Sequence, residues 1–141
     1  MPDKPPYDLA ERTFRFACAI VRFTRKLSQE PGVVRMIAGQ LADAGTSVAA
    51  NYEEAKGAYS RRDFAAKNSI VLKEARESRL WLRVILEEHL APAAEVLPLL
   101  DEANQLVAIF TASNKRLKLG AMVRAPFVGV LILFAGPISA F

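Results

Sequence analysis

The sequence predicts an all-α protein, an antiparallel up-down bundle of four helices. Apolar residues recur at three- and four-residue spacing in four successive stretches, and short links containing proline or glycine separate them. No strand-like alternation, glycine-rich hairpin turn or solenoid-type repeat interrupts the pattern. The 141 residues suit one domain, and 52% hydrophobic against 24% charged residues supplies a core and excludes wholesale disorder. The bundle is expected over residues 1–124, followed by an uncharged hydrophobic tail over 125–141.

The first helix is expected at about 8–27, with Leu9, Thr13, Phe16, Ala17, Ile20, Thr24 and Leu27 on its inner face. At about 100° per residue, Arg12, Arg15, Arg22 and Lys26 gather on the opposite side. Pro31-Gly32 breaks the chain. A second helix then carries Val33, Ile37, Leu41, Ala44, Val48, Tyr52, Ala55 and Tyr59 inward. The small residues Ala38, Ala42, Gly45 and Ala49 let another helix approach closely, although a helical glycine costs intrinsic stability.

Ser60 followed three residues later by Asp63 reads as a capping box with Asp in the place of Glu, so the third helix starts near Arg61 and continues to about Glu88. Its inner stripe is Phe64, Asn68, Val71, Ala75, Ser78, Leu82 and Ile85. Leu72 and Leu80 fall outside that stripe beside Arg62, Lys73, Arg76, Arg79 and Arg83, which places them against a neighbouring subunit and predicts an oligomer. A connection over 91–97 leads to Pro98, read as the first-turn residue of the fourth helix, whose inner face is Leu99, Ala103, Leu106, Val107, Phe110 and Ser113.

Little in the chain points to catalysis. One cysteine, Cys18, cannot close an intramolecular disulfide, and one histidine, His89, is too few for most multi-histidine metal sites. Glu54, Glu74 and Glu77 could give carboxylates to a di-metal bundle site, but no Glu-x-x-His pair completes one. No nucleophile elbow, phosphate loop or cofactor fingerprint accompanies them, so neither catalytic residue, metal nor cofactor is expected. Trp81 reads as a packing anchor at one end of the bundle. Gln40, Ser47, Asn51 and Glu54 on the second helix, with Glu74 and Glu77 on the third, read as an internal polar network that fixes helix register.

The net charge of +4 matters only where cations cluster. Arg15, Arg22 and Lys26 on the first helix and Arg76, Arg79 and Arg83 on the third are the candidate contacts to RNA or DNA phosphates, against the alternative of a merely solvated face. The first eight residues hold two acids, a lysine and three prolines, unlike a secretory signal, which predicts a cytoplasmic protein. The tail contains Pro126, Gly129, Gly136 and Pro137 and follows Lys115, Arg116, Lys118 and Arg124. A membrane tail anchor is the alternative reading of it, beside packing against a neighbour.

Four segments together carry a resemblance to a known family: Asp8-Leu9-Ala10-Glu11-Arg12-Thr13-Phe14-Arg15-Phe16-Ala17; Gln40 with Thr46-Ser47-Val48-Ala49-Ala50-Asn51-Tyr52-Glu53-Glu54-Ala55; Ser60-Arg61-Arg62-Asp63-Phe64; and Lys73-Glu74-Ala75-Arg76-Glu77-Ser78 with Trp81-Leu82. In this order they resemble the four-helix-bundle proteins associated with 23S ribosomal RNA intervening sequences, over about residues 8–117. The accessory protein of diversity-generating retroelements, a basic nucleic-acid-binding ring, is similar in fold. The resemblance implies a non-catalytic scaffold that assembles with itself into a ring, often a pentamer, and binds RNA or DNA. Asn51, Glu54, Glu74 and Glu77 match the family's signature positions, and the family supplies no catalytic residue.

Overall fold

The structure is a computed structural model and describes residues 8–124. Residues 1–7 and the hydrophobic tail at 125–141, with its anchor reading, lie outside the described residues. Four helices follow one another: α1 (Leu9–Leu27), α2 (Val33–Lys56), α3 (Arg61–Glu87) and α4 (Ala93–Arg124). No strand occurs among the described residues. Short links at 28–32, 57–60 and 88–92 turn each helix back along its predecessor, so α1/α2, α2/α3 and α3/α4 pack closely. The seam between α1 and α4 is looser and is bridged by ion pairs, Arg12 to Glu102 at 2.6 Å and Lys26 to Glu95 at 2.9 Å. α1 and α3 therefore lie diagonally across the bundle.

Each helix begins and ends for a local reason. The Asp8 carboxylate accepts the Glu11 amide and starts α1. Glycines flank α2, which stops at Lys56 and leaves Tyr59 97% exposed instead of on the inner stripe. The Ser60 hydroxyl accepts the Asp63 amide at 3.0 Å, while the Asp63 carboxylate accepts the Tyr59 amide at 3.1 Å, one residue before the position a reciprocal box would use. A hydrogen bond from Lys67 and that amide hold the Asp63 carboxyl below its ordinary value. α4 starts at Ala93, earlier than Pro98 suggests, because the Pro92 carbonyl already accepts the Glu95 and Val96 amides. Pro98 then sits inside the helix on its exposed side, where the lost hydrogen bond leaves a carbonyl that water can reach.

The core is one cluster drawn from all four helices, with Ile20, Leu41, Val48, Val71, Leu82, Ile85, Val96, Leu106 and Phe110 wholly buried. The Tyr52 ring meets Phe110 edge-on at 5.7 Å between centroids. Phe23 joins the core, and so does Leu72, which is 8% exposed: it packs in the bundle and is not available to a neighbouring subunit. Thr13 and Thr24 are buried because each hydroxyl donates to the carbonyl one turn back, Leu9 or Ile20, at 2.7 Å. Trp81 packs against the core with its indole nitrogen buried. α1 and α2 approach so closely at Gly45 that a Cβ there would stand 2.8 Å from both Cγ atoms of Ile20.

α3 closes with a left-handed residue. His89 has φ 53°, its amide donates to Leu86, and the Leu90 amide reaches back to Ile85, the paired bonds of a Schellman motif. Glycine fits this position without steric cost, whereas an L side chain is strained there by about 1 kcal/mol. His89→Gly is expected to raise the unfolding free energy by about that amount in urea titrations, with an unchanged denaturant slope.

Candidate nucleic-acid interface

α3 sorts its charges by side. Glu74 stands near Asp43 of α2 and near Glu77 of its own helix, whereas the cations line hollows against α4. The sequence Lys73-Glu74-Ala75-Arg76-Glu77-Ser78-Arg79 does this through helical spacing alone: Arg76, Arg79 and Arg83 are three and four residues apart and share one edge. On the facing edge of α4, Lys115 and Lys118 follow the buried Asn114.

The result is a row of separate hollows along the seam between α3 and α4, together the α3/α4 groove. One section, of ≈480 Å³, is lined by Lys73, Arg76, Lys115 and Lys118, with Asn114 and Thr111 between them. Next along α3, Arg79 and Arg83 face Leu100 and Asn104, with Glu87 as the acid at that end. At the other end Arg61 and Arg62 approach Arg116 and Lys118. Among the described residues the ion pairs belong to Arg12, Arg15, Lys26, Lys56 and Lys67, and none belongs to a groove cation. The groove carries an excess of positive charge, offset in part by Glu87 and by Glu74 beside Lys73, and a positive excess attracts polyanions.

The six cations singled out in the sequence divide between two faces. Arg76, Arg79 and Arg83 line the groove. Arg15 pairs with Glu11 and Lys26 with Glu95, both at 2.9 Å, and Arg22 is exposed on the same helix, diagonal to α3. The candidate contacts of α1 and α3 therefore lie on two surfaces of the chain, and it is α4 that completes the α3 surface.

Residues 7–112 match the model of the family described as 23S rRNA-intervening sequence protein. The chain belongs to this family. A crystal structure of an S23 ribosomal protein family member of unknown function from Bacteroides thetaiotaomicron is similar, with 28% identity and a TM-score of 0.69 over 76% of this chain and 98% of that one. No match was found among curated proteins. The matched span includes the α3 wall of the groove, while Asn114, Lys115 and Lys118 lie past it.

The polar residues are arranged differently from the internal network expected of them. The Asn51 amide donates to the Ser47 carbonyl of its own helix at 2.8 Å and is partly buried, as Ser47 is. Gln40 and Glu54 are exposed, Glu74 and Glu77 are half-buried, and no hydrogen bond among the described residues joins these six side chains across helices. The polar link between helices lies instead between α3 and α4. Asn68 Nδ2 donates to Asn114 Oδ1 at 2.7 Å and to Ser113 Oγ at 3.2 Å. Asn68 and Ser113 fall on the inner stripes read from sequence; Asn114, one turn after Phe110, continues that stripe into a basic run that hides it.

Burial, followed by repulsion from Glu77, raises the Glu74 carboxyl above its ordinary value; Lys73 opposes this and Asp43 adds to it. The folded chain thus holds the Glu74 proton more tightly than the unfolded chain. The ionised carboxylate weakens the fold at neutral pH, and the penalty is relieved as pH falls through the folded-state value toward the ordinary one. Glu74→Gln is expected to raise the melting temperature at pH 7, with the gain shrinking as the buffer is acidified through that window. An equal gain at all pH values would assign the effect to packing.

Among the described residues no helix is long and apolar enough to cross a membrane, and no group of three or more His, Cys, Asp or Glu side chains could hold a metal ion.

Proposed function

We propose that this chain is a non-catalytic cytoplasmic scaffold that assembles with itself and holds the phosphate backbone of RNA or DNA in its α3/α4 groove. The observation that carries the reading is a set of cations without ion-pair partners along one seam: Lys73 and Arg76 face Lys115 and Lys118 across it, and Arg79 and Arg83 follow on the same edge of α3. Arg15 and Lys26 of α1, by contrast, each stand beside an acid. Phosphate contacts of this kind position a nucleic acid without reading its sequence. The family name points to RNA as the first probe.

Self-assembly is supported by apolar side chains left on the outer side of α2 and α3, with Met36 58%, Leu80 51% and Ile70 43% exposed. The ring that the family resemblance implies would repeat each groove around its circumference and multiply its field. Fluorescence anisotropy with a labelled single-stranded RNA, repeated over a range of salt, tests the binding. The logarithm of the association constant should fall against the logarithm of salt with a slope of about −0.7 per phosphate engaged. A flat salt response, or no binding at low salt, rejects the groove. Light scattering at several concentrations tests assembly, and a monomer throughout rejects it.

A further inference from the structure

We propose that the α3/α4 groove contains a built phosphodiester site, in which the Asn114 amide donates a hydrogen bond to a phosphate oxygen of the bound nucleic acid. The site rests on the groove reading above and adds to it one fixed, uncharged donor. Asn114 is only 7% exposed yet lines the groove section formed by Lys73, Arg76, Lys115 and Lys118. Its Oδ1 is turned inward, accepting from Asn68 Nδ2 at 2.7 Å. Because the amide is planar, its Nδ2 is directed away from Asn68 toward the groove, and no protein acceptor meets it among the described residues.

Asn68 explains why this orientation is fixed. It is 1% exposed, and its one nitrogen serves both Asn114 and Ser113. Its own Oδ1 has no partner. A buried amide that leaves an acceptor unsatisfied is a poor stability device, since an apolar residue would avoid the desolvation cost. As a strut that locks the neighbouring amide in one orientation, the same residue has a clear use. Lysine and arginine side chains follow a phosphate flexibly, whereas a locked amide donor defines where one phosphate oxygen must sit. The four surrounding cations repel one another, and an anion at their centre offsets that repulsion.

Asn114→Asp tests the site. The substitution keeps the oxygen that accepts from Asn68 and replaces the outward donor by a second oxygen. Asn104→Asp, in the neighbouring hollow beside Arg79 and Arg83, makes the same change of charge and serves as the control. With the full chain and a labelled oligouridylate of about twenty nucleotides, Asn114→Asp should weaken binding about tenfold more than Asn104→Asp, the loss expected for a hydrogen bond to a charged group. Equal losses in the two variants, in a protein that still binds the RNA, overturn the site and leave the groove reading intact. Failure of the unaltered chain to bind overturns both. NMR of the unaltered chain avoids any folding defect in the variants: the Asn114 side-chain amide signal should shift on RNA addition, and an unmoved signal in the RNA-bound protein overturns the site.

Discussion

Gly45→Val is expected to lower the unfolding free energy by about 3 kcal/mol, the upper part of the range for overpacking a filled interior. A Cβ at position 45 would already stand 2.8 Å from both Cγ atoms of Ile20 and 3.0 Å from its Cβ. Ile20 is wholly buried, so it cannot swing aside without forcing α1 from α2. Helix propensity acts in the other direction, since replacing glycine in a helix gains about 1 kcal/mol when alanine is the substitute. Gly45→Ala therefore tests which effect wins, and the contact distance predicts a net loss of about 1 kcal/mol. Gly39→Ala isolates the propensity term, because nothing lies within 4 Å of a Cβ there. It should stabilise by about 0.5–1 kcal/mol. Two glycine-to-alanine changes on one helix with opposite signs, measured by urea titration, would establish the close approach; a stabilising Gly45→Ala would refute it.

Reversing Arg76, Arg79 and Arg83 together to glutamate is expected to abolish RNA binding at moderate salt. Each cation lost from a phosphate contact reduces the salt slope on single-stranded RNA by about 0.7, so three remove about two. The new carboxylate at position 76 also faces Lys115 and Lys118 and would pair with them. Reversing Arg15, Arg22 and Lys26 changes the net charge by the same amount on the diagonal helix, where two of the three already have acidic partners. That variant should retain binding within about threefold and an almost unchanged slope. Equal losses would show that net charge, and not the groove, governs association. Circular dichroism of both variants separates a binding defect from unfolding, and the substituted residues leave the core cluster untouched.

Helix register was legible in the sequence because each inner stripe repeats over several turns, as in Phe16-Ile20-Leu27 or Val71-Ala75-Ser78-Leu82-Ile85. The cap at Ser60 was equally plain, since a short side-chain oxygen immediately precedes the periodic run. Periodicity gives the angle of a residue around its own axis, however, and not which neighbour fills that angle. Leu72 lies at the margin of the α3 stripe, and only the position of α4 covers it. For the same reason the cations of α1 and α3 looked alike, although Arg15 and Lys26 have acidic partners and Arg76, Arg79 and Arg83 have no ion pair. Asn51 sits on a helix that supplies its acceptor locally, so its polarity demands no partner from α3. Asn114 escaped notice because a single polar residue at the end of an apolar stripe gives no periodic signal.

The looseness of the α1/α4 seam has a kinetic corollary. Every intimate interface joins helices that are consecutive along the chain, so nearly all native pairings close over short sequence separations. Low contact order of this kind favours rapid folding, on timescales from about microseconds to milliseconds, with little entropy lost to distant loop closure. Each helix can dock on its predecessor as it emerges during synthesis, and the first and last elements meet at the end through charged side chains that need no long search.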